Sequence, residues 1–236
     1  MVMAVKLVHH QPSRNMLVVA GYEGGFTAVH LLPRRPLADA GTRTTIPTVA
    51  RTIYLSQPHT QPILSLDALP DGTTYFTSAA DAIIATHRIP QLPNRENFGE
   101  TEGRSVLLSA QSPYKTTGTK HAGQQSLCVR SDGRLLVTGG WDSRVRVYST
   151  KTLKEMAVLK WHKEGVYAVD FGVVLEADDV VRPEEASTAD GAGNDNVVRK
   201  ETGLSRLQRQ REEQVQLKHW VVAGAKDGKV SLWEIF

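Results

Sequence analysis

Four segments of the chain superimpose without a gap: AGYEGGFTAVH at 20–30, TSAADAIIATH at 77–87, TGGWDSRVRVY at 138–148 and AGAKDGKVSLW at 223–233. Each runs from small residues through a polar turn into an alternating strand that ends on an aromatic ring or a histidine. A second strand precedes each turn, at Met16–Ala20, Thr74–Ser78, Leu135–Gly139 and His219–Ala223. Two of these strands follow Asp71-Gly72 and Asp132-Gly133, and Asp-Gly between alternating runs is a strong hairpin signal. A third strand is expected upstream, at Ala4–Val8, Ile63–Leu69, Ser126–Arg130 and Val166–Phe171. A fourth is expected downstream at Val49–Leu55, Ser105–Ser109 and Glu155–Lys160. Repeated antiparallel units of three or four strands, with almost no helical periodicity, describe the blades of a β-propeller. The helical spacing of ankyrin or tetratricopeptide solenoids is absent.

The expected fold is therefore all-β, a single partial propeller of about four blades. Blade 1 covers about 1–57, blade 2 about 58–118, blade 3 about 119–160, and blade 4 about 161–236 with an insertion at 172–218. Blades of this kind take ~40–45 residues, and rings usually need about seven. The expectation is an incomplete ring lacking roughly three N-terminal blades, because end blades with bare faces and edges invite aggregation. Within the insertion, 176–195 carries seven acidic residues and one basic, whereas 196–218 carries six basic and three acidic. The first half reads as disordered and Gly203–Leu217 as a polar helix. The whole is expected to be a surface loop, with a docking arm as the sharper alternative. Pro90–Arg104 reads as a long connector.

The repeats place polar residues at recurring positions that resemble the WD-repeat family. In that family a His, a Ser or Thr, an Asp and a Trp form a hydrogen-bonded tetrad in each blade. The resemblance implies His59, Thr77 and Asp81 in blade 2, with His87 replacing Trp. In blade 3 it implies His121, Thr138 and Asp142, with Tyr148 for Trp. In blade 4 it implies His162, Asp227 and Trp233, with Ala223 where the hydroxyl belongs. Blade 1 departs furthest, with Gly24 and His30 at the Asp and Trp positions. A buried carboxylate is tolerable only when paired and hydrogen-bonded, which is the physical logic of such a tetrad. With the tetrad degraded everywhere, blade stability is expected to lean on apolar packing between sheets. Trp141-Asp142 spells the family's dipeptide but falls in a turn; the matching dipeptide is Trp233-Glu234.

Chemistry is thinly represented. There is no His-Glu-x-x-His, no Cys-x-x-Cys, no Gly-x-Ser-x-Gly elbow and no phosphate loop. His59, His121 and His162 recur once per blade, which explains them structurally, so no metal and no cofactor is expected. Cys128, flanked by Leu127 and Val129, reads as a structural thiol and permits no intrachain disulfide. The 28 basic residues are dispersed among 25 acidic ones, so no direct nucleic-acid contact is expected. No apolar run approaches a membrane span, and the chain is expected to be intracellular and not an enzyme. Partner binding is expected at the turns, with Trp141 first because exposed Trp is enriched in hot spots. Packing of Trp141 across the neighbouring blade is the competing reading. Lys226 aligns with it, and Tyr22 lies in the matching turn of blade 1.

A narrower resemblance rests on LVVAGYEGG at 17–25, KHAGQQSLCVR at 120–130, TGGWDSRVRVY at 138–148, LKWHKEGV at 159–166 and AGAKDGKVSLW at 223–233. These segments resemble the ASTRA-associated protein 1 family, which includes animal G-protein-β-subunit-like proteins, and match the C-terminal part of such a protein. The resemblance implies a nuclear, non-catalytic subunit of a multiprotein ASTRA-like complex. That subunit would be associated with chromatin remodelling and linked to maturation of phosphatidylinositol-3-kinase-related kinases. A signalling scaffold of the G-protein β type, or a ubiquitin-ligase substrate adaptor, is the alternative.

Overall fold

The architecture follows from a computed structural model that describes residues 1–32, 50–92, 110–174, 211, 214–215 and 217–235. Among these described residues fifteen strands form four separate antiparallel sheets, each built in chain order from one innermost strand outward. The first sheet holds β1 (Val2–His10), β2 (Asn15–Tyr22), β3 (Thr27–Leu31) and β4 (Arg51–Ser56). The second holds β5 (Ile63–Ala68), β6 (Thr74–Ala79), β7 (Ile83–Arg88) and β8 (Lys115–Gly118). The third holds β9 (Gln124–Val129), β10 (Leu135–Gly140), β11 (Arg144–Ser149) and β12 (Glu155–Lys160). The fourth holds β13 (Val166–Phe171), β14 (His219–Ala225) and β15 (Val230–Ile235).

One strand differs. The outer strand of the second sheet is Lys115–Gly118, paired with β7 from Ile83↔Gly118 to Thr86↔Lys115, and not Ser105–Ser109, which lies outside the described residues. The insertion between 175 and 210, including most of Gly203–Leu217, also lies outside them.

The Asp-Gly turns form as their chemistry requires. Gly72 and Gly133 have φ of +69° and +71°, a region a side chain rarely enters. Asp71 Oδ1 and Asp132 Oδ1 accept the backbone N–H of Thr73 and Arg134 at 2.9 and 3.0 Å, closing each turn with a side-chain bond.

Three apolar clusters hold the sheets together, and each straddles a joint between consecutive blades. Val19, Val29 and Tyr54 of blade 1 pack with Leu66 and Tyr75 of blade 2. Phe76 and Ile84 pack with Leu127, Leu136 and Tyr148. Val137, Val145 and Val147 pack with Val166, Val169 and Val221. Each sheet thus buries both faces only where it has neighbours on both sides, as in stacked repeats. At the inner strands the joints are also polar: Leu127 N–H and Val169 N–H donate to Ser65 Oγ and Ser126 Oγ of the preceding blade, at 3.1 and 3.2 Å. Lys6 Nζ lies 2.7 Å from Asp67, and Asp67 Oδ2 accepts Val129 N–H at 2.8 Å.

Candidate partner-binding face

The hairpin turns between the second and third strands all lie at one end of the blades, and one backbone bond fixes each of them. Glu23, Ala80, Trp141 and Lys226 donate N–H to the carbonyls of Met1, Pro62, Gly123 and Gly165, at 2.9, 3.2, 3.0 and 2.9 Å. The bond uses no side chain, so these four positions share one location and are free to differ chemically.

Trp141 is 42% exposed. Its Nε1–H donates to Gln125 Oε1 at 2.9 Å, and its ring edge rests where a Cβ on Gly123 would sit, 2.9 Å from Cζ3. The ring therefore lies over its own blade, anchored at one edge and open on the rest. Gly165 of the next loop approaches the Trp141 backbone, and a Cβ there would meet Tyr167 Cε1 at 3.1 Å. Tyr167 and Trp161 are exposed as well, and Trp161 meets His162 edge-on at 5.0 Å. Neither was singled out in the sequence; Trp161 adjoins a recurring His, and that was its signal. Lys226 is exposed, and its backbone N–H bonds Gly165 of that loop. Tyr22 belongs elsewhere: it is half-buried at the end of β2, and its hydroxyl bonds His30 Nε2 at 3.3 Å, so its polar group serves the blade interior.

Beneath the turns, the recurring polar positions solve one burial problem in different ways. In blade 2, His59 Nδ1 lies 3.1 Å from Asp81 and His59 Nε2 2.8 Å from Thr77 Oγ1. Thr77 Oγ1 lies 3.2 Å from His87 Nε2, and His87 Nδ1 lies 3.1 Å from the Tyr54 hydroxyl of blade 1. Burial holds both imidazoles neutral. It lowers the His59 pKa against the pull of Asp81, and brings His87 down to about 3. With both rings neutral, only one set of directions satisfies every atom. Tyr54 donates to His87 Nδ1, His87 Nε2–H to Thr77, Thr77 to His59 Nε2, and His59 Nδ1–H to Asp81. His87 stacks on Tyr75 at 4.6 Å.

Blade 3 corrects the expected tetrad. His121 is exposed, because the loop before β9 is one residue shorter than in blades 2 and 4. His59 and His162 stand three residues before the turn-binding carbonyls of Pro62 and Gly165, whereas His121 stands two before Gly123. Gln124 takes its role, accepting from Thr138 Oγ1 at 2.7 Å. Asp142 binds Arg146 instead, at 2.9 and 2.5 Å through both guanidinium nitrogens, and the Arg146 side chain is fully buried. Burial raises the Tyr148 pKa to about 12.

Blade 4 is corrected too. Ser231, paired across the sheet with Ala223, supplies the hydroxyl that Ala223 lacks. It lies 2.7 Å from His162 Nε2 and accepts Trp233 Nε1–H at 2.8 Å. Asp227 does not bond His162; it pairs with Lys229 at 3.2 Å. In blade 1, His30 Nδ1 lies 3.0 Å from Thr52 Oγ1, and Gly24 contributes no side chain.

Cys128 Sγ donates to Asp170 at 3.1 Å, and burial and that contact push its pKa to about 12. It remains a thiol and a poor nucleophile at neutral pH. Among the described residues no three His, Cys, Asp or Glu side chains are grouped to hold a metal ion, and no helix is long and apolar enough to cross a membrane.

Radially joined sheets with a repeated turn and a recurring buried polar position define a WD-repeat propeller protein. Residues 113–149 match the family model described as WD domain, G-beta repeat. Within that class the chain resembles the ASTRA-associated protein 1 family along its whole length. It is 44% identical to ASTRA-associated protein 1 of Verticillium alfalfae over 100% of this chain and 50% of that protein. It is 42% identical to that of Aspergillus niger over 100% of this chain and 53% of the relative. The Schizosaccharomyces pombe protein of the same name is 34% identical over 66% of this chain. The chain spans about half the length of the Verticillium and Aspergillus relatives.

Proposed function

We propose that this chain is a non-catalytic scaffold subunit that presents the Trp141 end of its blades to other protein subunits of an ASTRA-like assembly. The observation that carries the reading is a half-exposed indole held rigidly over a fixed turn. Its ordering cost is met on folding, so little is left to lose on binding. Exposed Tyr167 and Trp161 extend the apolar area, and Lys226 adds a charge at its rim, the composition favoured at interface cores and edges. The relatives' shared name supports the ASTRA-like context. Nuclear localisation, a part in chromatin remodelling and a link to maturation of phosphatidylinositol-3-kinase-related kinases complete the proposal.

Affinity purification of the tagged chain with mass spectrometry tests it. Co-purification of ASTRA and kinase-maturation subunits is the expected result, and Trp141→Ala is expected to remove them while leaving the melting temperature near wild type. Recovery of G-protein or cullin partners instead would replace this reading with a signalling scaffold or a ubiquitin-ligase adaptor.

A further inference from the structure

The end of the molecule that carries Trp141 is unevenly charged, and the excess gathers around the exposed rings. Blade 3 has a neighbour on each side, so its turn and the loops flanking that turn are built within the chain. The loop before β9 reaches the turn through Gly123, whose carbonyl accepts Trp141 N–H at 3.0 Å. The loop before β13 reaches the turn of blade 4 in the same way, Gly165 accepting Lys226 N–H at 2.9 Å. A Cβ on Gly165 would lie 3.3 Å from Trp141 Cα, so the two turns are adjacent. Lys120 stands three residues before Gly123, and Lys163 two before Gly165. Lys160 is paired across the sheet with Arg144, at the exit of the Trp141 turn. Trp161 follows Lys160 directly, and Tyr167 lies two residues past Gly165. All four lysines and all three rings are exposed.

Three carboxylates share these loops and turns, and two of them are occupied. Asp142 binds both terminal nitrogens of Arg146, and Asp227 pairs with Lys229 at 3.2 Å. Glu164 makes no ion pair among the described residues, and neither does Lys120, Lys160, Lys163 or Lys226. Four ammonium groups against one free carboxylate raise a positive potential around an apolar floor. Blades 1 and 2 carry no such excess at this end. Glu23 and Ala80 stand at the turn positions of Trp141 and Lys226, and 57–62 holds no Lys, Arg, Asp or Glu. Arg144, the exposed arginine of the patch, lies 4.0 Å from Asp142, so the planar fork best suited to phosphate already faces a carboxylate. What remains are point charges on flexible stems around fixed rings. That arrangement suits carboxylates spaced along a chain, with an apolar side chain between them.

We propose that this face takes an acidic protein segment, with Asp or Glu residues on the four lysines and an aromatic or branched aliphatic side chain on the Trp141 ring. The proposal rests on the Trp141 end being the partner-binding face and adds the chemistry of the partner. The carboxylates steer the approach and fix the register, while the apolar anchor supplies most of the affinity.

Selection of a displayed library of random dodecapeptides on the chain tests this, followed by titration of the enriched peptide, carrying fluorescein, at low and high salt. The enriched sequences are expected to be rich in Asp and Glu around one aromatic or aliphatic residue. Lys160→Glu combined with Lys226→Glu is expected to weaken that peptide roughly 10-fold or more and to flatten its salt dependence. Trp141→Ala is expected to weaken it roughly 30-fold. All three side chains are exposed, so circular dichroism melts are expected at the wild-type temperature. Enrichment of neutral or basic peptides, or of acidic ones unmoved by the lysine reversals, that Trp141→Ala still abolishes would overturn the acidic partner and leave the binding face standing. Peptides indifferent to every substitution, or no enrichment at all, would overturn both. Oligouridylate bound more tightly than the acidic peptide, and lost with the lysine reversals, would replace the proposal with a nucleic-acid surface.

Discussion

Replacing Asp142 by Ala removes the only partner, among the described residues, that holds both terminal nitrogens of Arg146. That guanidinium is fully buried, and its remaining ionic contact is Glu155 at 3.5 Å, a side chain 44% exposed. Deleting one member of a buried pair leaves an uncompensated charge and costs about 3–5 kcal/mol. For a chain of this size the melting temperature should fall by roughly 6–20 °C. The magnitude is assigned to the stranded cation, not to lost attraction, and a double-mutant cycle separates these. Arg146→Met leaves Asp142, which has water access through a side chain 22% exposed, and is expected to cost under about 2 kcal/mol. The double variant, with an apolar side chain and no charge, is expected to recover most of the loss in urea melts, a coupling of about 2 kcal/mol or more. An Asp142→Ala cost below about 1 kcal/mol refutes the argument. A double variant as weak as Asp142→Ala alone refutes it equally.

Three other outcomes follow from the same geometry. Thr77→Val strips the hydroxyl shared by His59 and His87, leaving two buried ring nitrogens unpaired; a loss of about 2–4 kcal/mol is expected in urea melts, against near neutrality if the network carried nothing. His10, His30, His59 and His87 all have pKa values lowered by burial, so protons favour the unfolded chain. Their contribution is complete above the unfolded value near 6.5 and is lost as pH falls towards the folded values. From His87 alone, folded value about 3, pH 5 should cost about 2 kcal/mol relative to pH 7, and urea midpoints flat over that range contradict it. Gly139→Ala drives a methyl into Val166 Cγ1 and backbone and should cost about 1–3 kcal/mol, whereas Gly224→Ala, whose nearest neighbour is Ala168 Cβ at 3.9 Å, should leave stability within about 0.5 kcal/mol.

The strands were legible because their information is local. Alternation and Asp-Gly turns fix β2, β6, β10 and β14 to within a few residues, and the ungapped repeats fix β3, β7, β11 and β15. The error at the outer edge of blade 2 has a plain cause: SVLLS at 105–109 is apolar, whereas KTTG at 115–118 is polar and is chosen by its reach to β7. The polar networks were legible only where the loop kept its length. His121 looks like His59 in composition, but a loop one residue shorter moves it out to solvent and leaves Gln124 to meet Thr138. Ser231 was invisible for a different reason. An alignment compares residues in one column, while the hydroxyl that compensates Ala223 stands in another column, across the strand pair. Nothing in RVRVY marks Arg146 as buried, and only the position of Asp142 four residues earlier shows what allows it inside.

Blades 2, 3 and 4 thus fill their recurring buried polar positions with different side chains, while the joints of blade 1 with blade 2 and of blade 3 with blade 4 repeat the same glycine-against-branched packing. That contrast locates the constraint. A network can be exchanged for another that closes its hydrogen bonds, but a methyl on Gly21 or Gly139 has to displace the branched side chain packed on it. The turn positions carry neither obligation, since the same backbone bond seats Glu23, Ala80, Trp141 and Lys226 whatever the side chain. The identity of the residue at 141 is therefore not dictated by folding of the turn. An indole there, fastened by Gln125 and left open to solvent, is the feature on which the proposed partner contact rests.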